Sequence, residues 1–404
     1  MMRLTPFCTG LCLAFSGSAV ESSKSADGPV VGILESASDF LNRGEVSGSV
    51  GAAVWYQDNH FGPNPGLSWG YLDISYRTPD WNGLALGAAA LGVSRIWENG
   101  ADDFDNVFRE PWDLRDFYLS YQSEKQRVSA LVGRKLFPTN PVLDGDSQQG
   151  VGIELSDDRG SGLWLAAFNR WEDHSTPNYD ADGITGWEDV SAANDSAGEV
   201  YLAAMGNGVI GGFTGSPFLS WQDDVLGVYG VQAEYGHPLE GPGPNAQWAS
   251  ELIVAYYDNL APASVEPDYE DLWVGRIHTG YESDTWSAGA GFFWMGDGRV
   301  NTEAGLFTTF DPLKDDDLDP FNDQNNTYLF YLNATVQIDS LTLQPAIGYG
   351  RNRAEEADVL EIDFLFSWDL PGDFVFEGYL VHSDFGPEVL PSYTESGVSL
   401  AYEF

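Results

Sequence analysis

Cysteine is almost missing from this chain. The two present, Cys8 and Cys12, lie among the first twelve residues, so the rest has neither disulfides nor thiolate metal sites. Basic residues are scarce as well. Eighteen Lys+Arg face 62 Asp+Glu, a formal net charge of −44, which argues against nucleic-acid binding because that relies on cationic surface. No run of ~20 apolar residues occurs, which excludes helical membrane spans. The five histidines, His60, His174, His237, His278 and His382, are too widely spaced for a His-x-x-x-His pair. No metal centre and no cofactor is therefore expected.

What the chain does have is β-forming material: 14% aromatic residues, 46 Gly and 21 Pro. Met1 to Ala19 reads as a cleaved export signal, with one positive charge at Arg3, an apolar stretch from Leu4 to Phe15 and small residues Gly17 and Ala19. Residues 20–404 then form one domain, with Glu21–Asn42 as a short lead. From Glu45 onward, runs of ~10 residues alternate apolar with polar or small side chains. Leu360, Ile362, Phe364, Phe366 and Trp368 oppose Glu361, Asp363 and Ser367. Such a strand is reasonable only with one wet face and one greasy face. The spacing predicts about eighteen strands, near 46–57, 67–77, 83–93, 113–122, 127–134, 148–156, 162–170, 198–205, 209–221, 225–235, 247–257, 270–281, 284–295, 326–338, 341–350, 358–368, 373–382 and 393–404.

Connections alternate in length, another mark of a transmembrane barrel, in which short turns lie on the periplasmic side. Short ones include Ser123–Lys125, Gly206–Gly208, Glu282–Asp284, Asp339–Ser340 and Leu370–Gly372, and long ones include 94–112, 135–147, 171–197 and 296–325. The predicted fold is all-β: a closed antiparallel barrel in the outer membrane of a Gram-negative bacterium, with inward-folding loops. Aromatic residues near strand ends are expected to form girdles at both membrane faces. Faces turned from lipid carry carboxylates, Thr, Ser and Gly, so the interior is expected to be hollow and polar, too polar for the packed core of a soluble sandwich. The final strand alternates Val398, Leu400, Tyr402 and Phe404 on one face, and Phe404 is expected to serve as the signal read by the barrel-assembly machinery.

Leu41-Asn42-Arg43-Gly44, then Val132-Gly133-Arg134, Pro138, Asp144, Asp146 and Gly150-Val151, together with the Phe404 ending, resemble the OprD-type porins. The specific motifs cover about thirty residues, whereas the likeness in architecture covers nearly the whole mature chain. The resemblance implies an eighteen-stranded channel for small hydrophilic solutes, often carboxylates or amino acids. It also implies a constriction of inward loops with basic groups along one wall and acids opposite. This chain departs from that pattern with only four lysines, and with Lys135 after Arg134 where the family usually has a neutral amide.

Strand parity assigns Asp73, Arg77, Asp116, Glu234, Arg276, Glu361, Asp363 and Glu377 to the lumen. Arg134, at a strand end, is expected to line the constriction beside the 135–147 connection, which folds into the lumen and sets Asp144 and Asp146 opposite the arginines. Opposed charges of this kind set a transverse field and replace lost hydration as a solute passes. The reading is a passive channel, as a monomer or trimer, that carries small hydrophilic solutes and prefers cations. Its partners are outer-membrane lipid and lipopolysaccharide, and it is no enzyme. The competing reading is a structural or adhesive barrel. The Asp315–Asp319 run with Asp323 lacks the glycine and glutamate of an EF-hand and reads as a hydrated loop.

Overall fold

A computed structural model describes residues 43–404 except 60–63, 100–111, 124, 126, 144–146, 159, 173–187, 190–200, 223–224, 240–244, 261–269, 299–309, 311, 314–325, 354–355 and 385–391. Among the described residues there are nineteen strands and no helix. They are β1 (Glu45–Asn59), β2 (Gly66–Arg77), β3 (Leu84–Asn99), β4 (Trp112–Ser123), β5 (Val128–Lys135), β6 (Ser147–Ser156), β7 (Gly162–Glu172), β8 (Glu188–Asp189), β9 (Tyr201–Ile210) and β10 (Phe213–Gln222), followed by β11 (Leu226–Pro238), β12 (Gln247–Asn259), β13 (Leu272–Glu282), β14 (Trp286–Met295), β15 (Thr327–Ile338), β16 (Leu341–Asn352), β17 (Ala357–Leu370), β18 (Phe374–Asp384) and β19 (Tyr393–Glu403). The two-residue β8 pairs with the far end of β7. The other eighteen form a closed antiparallel ring in which each pairs with its sequence neighbour and β19 returns to β1.

The ring closes in register from Ser49↔Glu403 to Asn59↔Tyr393. Beyond that ladder Gly48 and Phe404 exchange both backbone hydrogen bonds at 3.0 Å, so Phe404 belongs to the seam. Closure leaves no sheet edge, the condition for strands to cross lipid.

Burial shows which face meets lipid. On β17, Ile362 and Phe364 are each 42% exposed, while Glu361 and Asp363 between them are 0% and 2% exposed. A protein in water does the reverse. An outer surface of Val50, Val54, Leu252, Ile277, Leu332 and Leu400, all exposed, suits hydrocarbon. Aromatic rings collect at both ends of this surface. At the short-turn rim Tyr281 stacks on Trp286 at 4.2 Å, and Phe374, Tyr402 and Phe404 follow one another. At the opposite rim Tyr256 lies 5.0 Å from Trp273 and donates to Asp271.

Most short turns fall where the spacing predicts. The β2–β3 turn is made by Asn82 (φ 53°) and Gly83 (φ 86°), where a Cβ on Gly83 would lie 2.1 Å from the Gln122 carbonyl oxygen, so only glycine fits. Gly206–Gly208, expected as a turn, lies inside β9. The reversal comes at Gly211-Gly212 instead, because glycines inside a strand mimic a turn signal.

The interior is not polar throughout, contrary to the sequence expectation. One buried apolar cluster fills the inner face from β7 through β17 and includes Phe168, Tyr257, Val274, Phe293 and Leu329. A second, with Leu67, Trp69, Leu91 and Ala401, lines the seam side. Two connections run inward and complete the first cluster: Phe137, Val142 and Leu143 from the β5–β6 connection, and Phe310 and Leu313 from the β14–β15 connection. Toward the long-loop end the inner faces of β12 and β13 are apolar, at Ile253, Ala255, Tyr257, Leu272 and Val274, which share the cluster with the loop residues; alternation within a strand cannot reveal this.

Candidate functional site

The inward loop segments are pinned by polar contacts. Asn140 Nδ2 donates to the Leu219 carbonyl at 3.2 Å and to Ser220 Oγ at 2.9 Å, tying the β5–β6 connection to β10. Asn140 and Ser220 are buried, so the bond between them acts without competition from water.

Charged and polar groups on the inner wall fall into three groups. The first runs across β11, β12 and β13. Glu234 and Glu251 sit directly opposite each other in the ladder. Gln232 bridges them, donating to Glu234 Oε1 at 3.0 Å and Glu251 Oε1 at 2.7 Å. Arg276 Nη2 donates to Glu251 Oε2 at 2.6 Å, and its Nη1 donates to the Phe310 carbonyl at 3.0 Å. Arg276 is only 2% exposed, inside the wall and beneath the β14–β15 connection. His278 is next on the same face, stacked on Tyr331.

The second group spans β2 to β5. A bulge opposite Ala89–Leu91 gives β4 an extra residue, so Arg115 and Asp116 both turn inward. Arg115 Nη1 donates to Asp73 Oδ2 at 2.7 Å across β3, and its Nε lies 3.7 Å from Asp116. Lys135 Nζ lies 4.1 Å from the centre of the Tyr118 ring. Arg77, at the turn rim, pairs with Asp80 at 3.0 Å. Arg134 differs from its expected position. Its register partners are Phe117 and Gln149, and it donates to Gln149 Oε1 at 2.9 Å. Phe117 belongs to the outward series with Leu119 and Val132, so Lys135, rather than Arg134, takes the inward position there.

The third group lies on β17 to β19. Glu361 and Asp363 are buried on the inner face. Ser367 donates to Glu377 Oε1 at 3.1 Å, and Tyr379 donates to Glu395. Asp144 and Asp146 lie outside the described residues.

Parity thus brings Asp73 and Asp116 together, and joins Glu234 to Arg276 through Gln232 and Glu251. It missed Arg115, hidden by the bulge, and Glu251, whose strand is apolar on both faces. A Leu-Arg-Asp sequence entering an alternating run is the one signal that could have suggested the bulge.

Comparison with solved structures places this wall among known shapes. Pseudomonas aeruginosa OccK8 (OprE) superposes with a TM-score of 0.70 at 13% identity, covering 90% of this chain and 99% of that one. Pseudomonas aeruginosa OpdK, solved with vanillate, gives 0.69 at 9% identity, with 90% and 99% covered. A BenF-like porin from Pseudomonas fluorescens Pf-5 gives 0.69 at 9%, also with 90% and 99%. The fold is that of the OprD-type barrels. No family model and no curated protein sequence matches the chain.

Proposed function

We propose that this chain is a channel of the Gram-negative outer membrane through which small hydrophilic solutes, such as amino acids or organic acids, diffuse passively. One observation carries the reading: a closed wall with its apolar residues outward, its charged residues inward and loop segments pinned inside it. A surface barrel with a purely structural role has no use for ordered charges on its inner face. The shared fold of OccK8, OpdK and the BenF-like porin supports the same reading.

In this reading Asp73, Arg115, Asp116, Glu234, Glu377 and Lys135 face the solute path, and inward acids outnumber inward bases. A low-dielectric wall focuses their field into the lumen, so cations pass preferentially. Residues 1–19 are removed on export, lipid and lipopolysaccharide surround residues 20–404, and the Phe404 strand is read by the assembly machinery. The apolar clusters inside the ring favour the structural barrel as the second reading, because they narrow the lumen. Planar-bilayer recording separates the two. Discrete openings in KCl and liposome swelling with amino acids are expected, and a folded protein with no openings at any salt overturns the channel reading.

A further inference from the structure

Arg276 was assigned to the pore lining by parity, yet its surroundings suit a different task. It is 2% exposed, and both of its terminal nitrogens are engaged: one by Glu251, itself 5% exposed, and one by the backbone carbonyl of Phe310. A buried guanidinium is retained where its planar fork must hold two acceptors at fixed angles. Here one acceptor belongs to the wall and the other to an inward connection.

The same connection is seated at two further points. The Phe310 ring meets Phe293 edge-on at 6.3 Å. Leu313 lies against Gly348 of β16, where a Cβ would approach Leu313 Cδ1 to 2.4 Å. Gly348 is on the inner face, opposite Tyr331 and Glu361, so its missing side chain leaves the space that Leu313 occupies. Phe310 and Leu313 therefore dock across the inner faces of β13, β14 and β16.

We propose that Arg276 is a positioning residue. Clamped by Glu251, it holds Phe310 against the wall, and Gly348 provides the second seat, for Leu313. The width of the solute path is set by this docking, and Arg276 itself does not meet the solute. The inference rests on the channel reading above.

The test is single-channel recording of Arg276→Met, Glu251→Gln, their double variant and Gly348→Val, with heat-modifiable gel migration checking that each barrel is closed. Gly348→Val removes no charge and meets the movable ends of Leu313 and, less closely, Leu329, so it probes the dock even if a buried charge change blocks folding. All four variants are expected to shift the main conductance level upward with frequent transitions between levels. The double variant should be no more altered than Arg276→Met alone, and Arg276→Lys, which keeps the pair with Glu251, should recover part of the steadiness. If Arg276 and Glu251 instead line the path, Arg276→Met raises and Glu251→Gln lowers cation selectivity at unchanged conductance levels. That pattern, or a Gly348→Val channel identical to the parent, overturns the inference. A parent protein with no openings would instead refute the channel reading itself.

Discussion

Replacing Arg115 by methionine gives the sharpest test of how the wall sorts ions. In the parent, Arg115 lies between Asp73 and Asp116, and these three side chains together carry one net negative charge. The variant leaves two. The passing ion travels in lumen water beside a side chain 20% exposed, so the dielectric of water sets the smallest effect to expect. At a separation of ~6 Å, a unit charge in water acts on a passing ion with ~0.7 kcal/mol. Screening over a Debye length of ~10 Å at 0.1 M salt leaves about 0.4 kcal/mol. The same potential attracts a cation and repels an anion, so the cation-to-anion permeability ratio should rise about fourfold. The assay is the reversal potential across a planar bilayer in a tenfold KCl gradient centred near 0.1 M. Repeating it near 1 M, where screening reaches only ~3 Å, should erase most of the difference. A shift toward anions, or a shift that persists unchanged at high salt, refutes the reasoning, because neither follows from the loss of one positive charge beside the path.

Three further outcomes follow from the fold and the site. Deleting Phe404 removes both reciprocal bonds to Gly48 and the ring beyond Tyr402, so the fraction of heat-modifiable barrel recovered from outer membranes should fall several-fold; an unchanged yield would separate the seam from assembly. Asn140→Leu deprives the β5–β6 connection of its bonds to Leu219 and Ser220, a loss of about 1–3 kcal/mol for buried groups left unsatisfied. It should make that connection cleavable by protease in intact liposomes, which resistance like the parent's would contradict. Leu252→Arg places a charge on the lipid face near the middle of β12 and should cost about 2–4 kcal/mol in urea unfolding from liposomes, whereas a cost near zero would mean that this face is not in hydrocarbon.

The wall was legible because a membrane barrel repeats one rule along every strand: successive residues answer to different solvents. Glu361 and Asp363 among Ile362 and Phe364 gave the inside and outside of β17 directly. Parity missed Arg115 because the backbone of β4 adds a residue there. The β4 bulge turns Arg115 inward beside Asp116, and one extra residue reverses every assignment beyond it until the register is restored. Near the end of β5, Arg134 falls on the outward series and Lys135 takes the inner place. Glu251 escaped for another reason. Its inward neighbours Ile253, Ala255 and Tyr257 are apolar and share a cluster with the loop residues, and no pattern within one strand records what packs on it from far along the sequence. Arg276 was placed on the correct face, but its hold on the Phe310 carbonyl was not legible, because every residue possesses a backbone carbonyl and no sequence motif marks one.

The seam between β1 and β19 has a consequence for how the barrel comes into being. Each of the other seams joins strands close in sequence, so hairpins can add one after another at modest entropic cost. The last seam pairs residues 49–59 with residues 393–403, and no shorter route can form it. Throughout growth, the open side of β1 presents unpaired amides and carbonyls that only β19 completes in this register, while the exposed outer face already demands lipid. The order of events is therefore fixed by topology: the sheet must be held, with its first edge guarded, until the opposite edge has curled round to meet it. A barrel of this kind is born open, and the pairing of its two ends is what makes it a ring.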